Sequence, residues 1–160
     1  MSEQKKYYKI VFQGVTLDGL NDILGKAKTK VRGAKFGRGR KRYTITMYDA
    51  YKKKTETTLG LIARPQIKGM LSGQYSVVIT WYEPNNKRDI DNIQAGQKFI
   101  WDALQAVDII SNDNKKTLGL GAAHIFKKDK ENPRIEVELL SLDLQAVIRN
   151  QVDKFKNSIK

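Results

Sequence analysis

The stretch from Gln74 to Asp113 constrains this chain more than any other. From Gln74 to Tyr82 it places β-branched and aromatic residues on both faces, the pattern of a central strand covered on both sides. The strand feeds into Asp89-Ile90-Asp91-Asn92, after which Ile93, Ile100, Ala103, Leu104 and Val107 recur at helical spacing. Asp89 and Asp91 therefore fall at a strand-to-helix junction, and in an extended pair two such side chains point to one side.

Two converging carboxylates are the minimum for holding a hard cation such as Mg²⁺ while leaving positions open for water and a phosphate oxygen. The same residues suit a helix start, because Asp and Asn are preferred N-caps and a carboxylate there meets the positive end of the helix dipole. Both roles follow from the local sequence. A calcium loop of the EF-hand kind is excluded: counted from Asp89, its glycine position holds Gln94 and its terminal glutamate position holds Ile100. Asp91 and Lys98 are seven residues apart, which on one continuous helix brings them to nearly the same face. The acids also follow two cations, Lys87 and Arg88.

That basic setting is general. Lys and Arg number 30 against 17 Asp and Glu, a formal charge of +13. Such an excess favours a polyanionic partner, because each phosphate neutralised releases condensed counterions. Nucleic acid is the expected polyanion, with an anionic membrane surface as the competitor. The densest run, Lys26 to Arg42, contains no acid, and Gly33, Gly37 and Gly39 loosen its second half. It predicts a flexible basic loop around 32–42 that lays Arg32, Lys35, Arg38, Arg40, Lys41 and Arg42 on a phosphate backbone. The chain has no cysteine, which excludes disulfides and thiolate metal sites. No apolar run is long enough for a membrane span and the start carries no secretory h-region, so a cytoplasmic location is expected. Gly119-Leu120-Gly121 lacks the third glycine of a dinucleotide loop and no Walker lysine motif occurs, so no nucleotide cofactor is expected. The sole histidine, His124, lies in an apolar strand without a histidine partner and reads as a core or tautomer-fixed residue rather than a metal ligand.

With 160 residues the chain fits a single domain, 1–160. A first strand is predicted over Tyr7 to Phe12. A helix capped by Thr16 follows, with Leu17, Leu20, Leu24, Ala27 and Val31 at helical spacing, and a second helix spans Arg42 to Ala63. Beyond the acidic block come strands Thr117 to Phe126 and Arg134 to Leu140, joined by the charged turn KKDKENP. A last helix carries Leu144, Val147, Ile148, Phe155 and Ile159 as an apolar stripe that packs on the sheet or on another subunit. The expected class is α+β, a mixed or antiparallel sheet with packed helices in the order β-α-α-β-α-β-β-α.

The central block resembles the RusA-type Holliday-junction resolvases, especially their phage and prophage variants. The shared pattern is Arg88, then Asp89-Ile90-Asp91-Asn92, then a helix with Lys98 and Asp102-Ala103-Leu104, then the acidic loop at Asp113. The resemblance implies a RusA-like fold and a Mg²⁺-dependent endonuclease, Mn²⁺ substituting, that acts as a homodimer on branched DNA such as a four-way junction. It implies paired symmetric nicks that leave 5′-phosphate and 3′-hydroxyl ends. Asp89, Asp91 and Asp113 would be the metal-binding carboxylates, Lys98 the catalytic lysine, and Arg88 with Lys87 would contact the DNA backbone. A helix from Asn92 to Gln105 would be about 21 Å long. Asp113 must then return along the following loop, which at full stretch reaches about 26 Å, or come from a second subunit. The competing reading is a non-catalytic, basic DNA-binding recombination accessory whose aspartates only cap a helix.

Overall fold

The computed structural model describes residues 7–28, 30–32, 44–119, 121–141 and 144–159. Strands β1 (Tyr7–Gln13), β4 (Ser76–Glu83), β5 (Ala122–Lys128) and β6 (Arg134–Leu140) form one sheet in the order β1-β6-β4-β5. The pair β4/β5 is parallel, whereas β4/β6 and β1/β6 are antiparallel. The sheet is therefore mixed and the class α+β. Two short strands, β2 (Lys30–Arg32) and β3 (Thr44–Thr46), pair separately. The helices are α1 (Leu20–Lys28), α2 (Met47–Ala63), α3 (Ile90–Gln94), α4 (Gln97–Ala106), α5 (Lys115–Leu118) and α6 (Leu144–Ser158). Every expected element is present in the expected order, with the β2/β3 ribbon and α5 added.

Alternation in the strands explains the core. Ile10 and Phe12, Val77, Ile79 and Trp81, and Ile135, Val137 and Leu139 share one face and are buried. Leu59 and Ala63 of α2 and Phe99, Ile100, Ala103 and Leu104 of α4 join them in a single cluster. Tyr51 meets Phe99 edge-on, with ring centroids 5.4 Å apart, and fixes the rotation of α2 against α4. At Gly60 the two helices come close enough that a Cβ would lie 2.6 Å from Cγ1 of Val107.

Several expectations need correction. The second helix starts at Met47 rather than Arg42, because Thr46 forms a capping box with Asp49: Oγ1 accepts from the Asp49 amide at 3.1 Å and Asp49 Oδ2 accepts from the Thr46 amide at 3.0 Å. The first helix starts at Leu20, four residues after Thr16, and stops before Val31, which lies in β2. Thr117 and Leu118 are helical, since Asn114 caps a short turn through its side chain. The helix after Asp91 is two pieces, broken at Ala95 and Gly96, where Gly96 lets Leu17 approach. β4 is central and covered on both faces, as expected, but only one face is apolar throughout: on the other, Thr80 is buried and Val78 and Tyr82 half-buried. Its second face adjoins a polar ladder in which Lys9 pairs with Glu136 at 2.8 Å and Arg134 lies 3.5 Å from the Tyr82 ring. Residues 150–159 are exposed along their whole length, so this part of α6 does not pack on its own sheet. No described helix is long and apolar enough to cross a membrane.

Gly60→Val should destabilise the fold by about 2 kcal/mol through overpacking against Val107. Gly25→Ala, in α1 with nothing within 4 Å of the added Cβ, should instead stabilise it by about 0.5 kcal/mol. Chemical denaturation of the two variants checks the contrast.

Candidate metal and nucleic-acid site

At the end of β4 the last strand residue, Glu83, points to the apolar side and is only 8% exposed. A carboxylate there requires a cation, and Arg88 supplies it: Nη2 donates to Oε1 at 2.7 Å and to Oε2 at 2.6 Å, and Nε donates to Oε2 at 3.1 Å. The remaining Arg88 nitrogen, Nη1, donates to the Leu17 carbonyl. The Arg88 guanidinium, expected on the DNA backbone, is thus engaged with the protein. The intervening turn is closed by the Lys87 amide, which donates to Asn85 Oδ1 at 2.9 Å. Lys87 itself is exposed.

The next residue is Asp89, at the N-cap of α3 with extended backbone (φ −71°, ψ 156°). Its side chain makes no capping hydrogen bond. Asp89 and Asp91 are both exposed, and neither carboxylate has a hydrogen bond or ion pair with a described residue. Asn92 does the holding. Its Oδ1 accepts from the Asn21 amide at 3.1 Å, which ties the start of α1 to α3. A Cβ at Gly19 would lie 2.8 Å from that oxygen, so this close approach requires glycine.

The third expected ligand lies elsewhere. β5 runs parallel to β4, and Thr117, just ahead of β5, accepts through its carbonyl from the Tyr75 amide at 2.8 Å at the start of β4. The loop after α4 stays at that end, with the Leu71 amide bonded to the Ile109 carbonyl at 2.8 Å. Asp113 is therefore at the start of β4, whereas Asp89 and Asp91 follow its finish. An eight-residue strand separates them by about 23 Å. Among the described residues no group of three or more His, Asp or Glu side chains could hold a metal ion. Asp89 and Asp91 share the N-terminus of α3; Asp113 of the same chain lies at the other end of β4.

Lys98 is exposed on α4, one piece further on than a continuous helix would have placed it, and its Nζ lies 3.4 Å from Asp102 Oδ1. Asp102 also receives Lys52 Nζ at 3.0 Å, and the same ammonium is 3.4 Å from Glu56 Oε1. Glu56 Oε1 and Asp102 Oδ2 are enclosed and have no hydrogen bond of good geometry, so the charge of Lys52 is their main compensation. Burial pushes the Glu56 carboxyl up, and Asp102 beside it adds to the rise. Burial also pushes Asp102 up, but Lys52 and Lys98 outweigh it and leave that carboxyl below its ordinary value.

Of the basic segment, Arg32 ends β2 opposite Thr44 of β3, and Lys35, Arg38, Arg40, Lys41 and Arg42 lie outside the described residues. Sequence reasoning missed Glu83, whose position at an inward register of β4 was the available signal. It also missed the network at Arg134, which donates to Asp129 and Glu136 at 2.8 Å each. His124 accepts the Trp81 indole N–H on Nδ1 at 2.9 Å, so its proton sits on Nε2, and burial lowers its pKa. No protein-family model and no curated protein matches the chain.

The Arg134 network has a pH signature. Its hydrogen bond holds the Asp129 carboxyl below the ordinary value. For Glu136 burial pushes upward, yet Lys9 and Arg134 outweigh it and the carboxyl is also lowered. Depressed carboxyls contribute stability above about pH 4 and lose it as pH falls through their folded-state values. Arg134→Met should therefore be less stable than wild type at pH 7, with the difference shrinking below about pH 3, as urea midpoints across that range will show.

Proposed function

We propose that this chain is a Mg²⁺-dependent, structure-selective endodeoxyribonuclease of the RusA type that resolves branched DNA as a homodimer. The observation that carries the reading is that Asp89 and Asp91 stand exposed and uncapped at the finish of β4. Aspartates kept for capping would accept amide hydrogens at the start of α3, and Asp89 does not. Two exposed carboxylates two residues apart fit a hard cation, in a chain whose net charge of +13 draws in phosphate.

The third carboxylate follows from two-fold symmetry. Within one chain Asp113 is a strand length away, so in the dimer the ligand set is Asp89 and Asp91 with Asp113 of the partner subunit. A two-fold axis makes two such sites, the number that paired nicks across a four-way junction require. The ion, when bound, supplies Lewis acidity and a water of lowered pKa for phosphodiester hydrolysis. Arg88 fixes the ligand-bearing turn through Glu83, and Asn92 fixes the start of α3 through Asn21. Lys98, drawn toward Asp102 and largely in solvent, provides the mobile cation for charge developing on the scissile phosphate.

A labelled four-way junction and a matched duplex, each with Mg²⁺ or EDTA, test the reading alongside Asp91→Asn. The expected result is paired nicks in the junction alone, abolished by EDTA and reduced at least about 100-fold by the substitution, with junction binding retained. Binding without cutting under every divalent metal would leave a basic accessory protein with structural aspartates.

A further inference from the structure

We propose that the turn between β5 and β6 is a rigid phosphate-binding platform that guides a DNA arm past the aspartates, carried by Lys127, Lys128 and Lys130. The inference rests on the DNA-binding part of the reading above and not on cleavage. From sequence the turn is a charged connection between two strands.

Register puts it at the site. Tyr82 pairs with Lys127 and Glu83 with Lys128, so both lysines lie at the finish of β4, where the chain leaves for Asp89. Glu83 joins the two segments directly. Its carboxylate holds Arg88, and its carbonyl accepts the Asp129 amide at 2.8 Å. One residue thus sets the position of the turn relative to the aspartates.

The turn is also ordered before any partner arrives. Asp129 Oδ1 accepts from the Asn132 amide at 3.1 Å, and the Pro133 carbonyl accepts from the Gly14 amide at 3.1 Å. Gln13 bonds Asn132 across the sheet. Asp129, the acid between the lysines, is taken by Arg134, whose guanidinium lies over the Tyr82 ring. Lys127 approaches that ring as well, at 5.5 Å. Lys128 and Lys130 are exposed, and neither is ion-paired with a described carboxylate. Glu131 is the one acid of the turn without a described cation, so three lysines face one unneutralised carboxylate.

Like charges held close on a fixed turn raise the local potential and favour an anion. Because the turn is already ordered, binding costs less entropy than on a mobile loop. A phosphate backbone suits it best: Lys127 and Lys128 leave β5 on opposite faces and Lys130 stands in the turn, so the three straddle the tip as point charges that need no base-specific donor.

The test measures binding without divalent metal, so cutting plays no part. Junction affinity is followed from 50 to 200 mM salt for wild type, for Lys127→Gln/Lys128→Gln/Lys130→Gln, and for a control, Lys53→Gln/Lys54→Gln/Lys68→Gln, which removes equal charge from elsewhere. The turn variant should lower the slope of log affinity against log salt by about 2 to 3 and weaken binding at least about tenfold near 100 mM, with the control changing the slope by under about 1. Replacing the same three lysines by Arg should restore the slope. Equal slopes for the turn variant and the control overturn the proposal, as does loss of binding to anionic vesicles with DNA binding intact. If wild type never cuts but the slopes separate, the platform stands and the nuclease reading falls; if it cuts and the slopes coincide, the reverse holds.

Discussion

The ion pair between Glu83 and Arg88 is the constraint on which this end of the molecule depends. A carboxylate at an inward register of a core strand is costly unless a cation reaches it. Arg88 does so with three donor contacts, and in doing so it folds the chain back within one short turn. Asp89 is the next residue, so its position is inherited from that pair. The Glu83 carbonyl then carries the β5/β6 turn, and the Arg88 contact with the Leu17 carbonyl carries the loop before α1. Three segments distant in sequence meet through two residues.

Topology imposes the second constraint. Because β4 and β5 are parallel, the chain must descend from the finish of one to the start of the other, and α4 is that descent. Residues that open the crossover lie at one end of the sheet and residues that close it at the other. Asp89 and Asp91 open it and Asp113 closes it, so the proposed site brings the three together only between two chains.

The parts legible in sequence were those written in short-range pattern. Alternation in Arg134 to Leu140 and helical spacing in Phe99 to Leu104 located β6 and α4, because each needs only its own burial periodicity. The D-x-D junction was legible because acids stand out between apolar runs. Other features depended on partners far along the chain. The break at Gly96 answers to Leu17, and the late start of α2 to a capping box that outcompetes helical continuation through Thr46. β4 reads as covered on both faces and is, but the cover over Thr80 and Tyr82 comes from charged neighbours on β1 and β6 that only the register reveals. The inward turn of Arg88 was hidden for the same reason: next to an acidic motif in a basic chain, an arginine looks like a phosphate ligand until its carboxylate partner is placed.

Complementation tests most directly whether each proposed metal site draws on two chains. Asp91→Asn and Asp113→Asn proteins are each assayed on a four-way junction, then unfolded together, refolded as a mixture and assayed again. If the sites are shared, each single variant is inactive, and mixed dimers regain one intact site, restoring single-strand nicking to roughly a quarter of the wild-type level when half the dimers are mixed. If the mixture stays as inactive as its components, the three aspartates act within one chain or not as a set, and the account of this site is wrong.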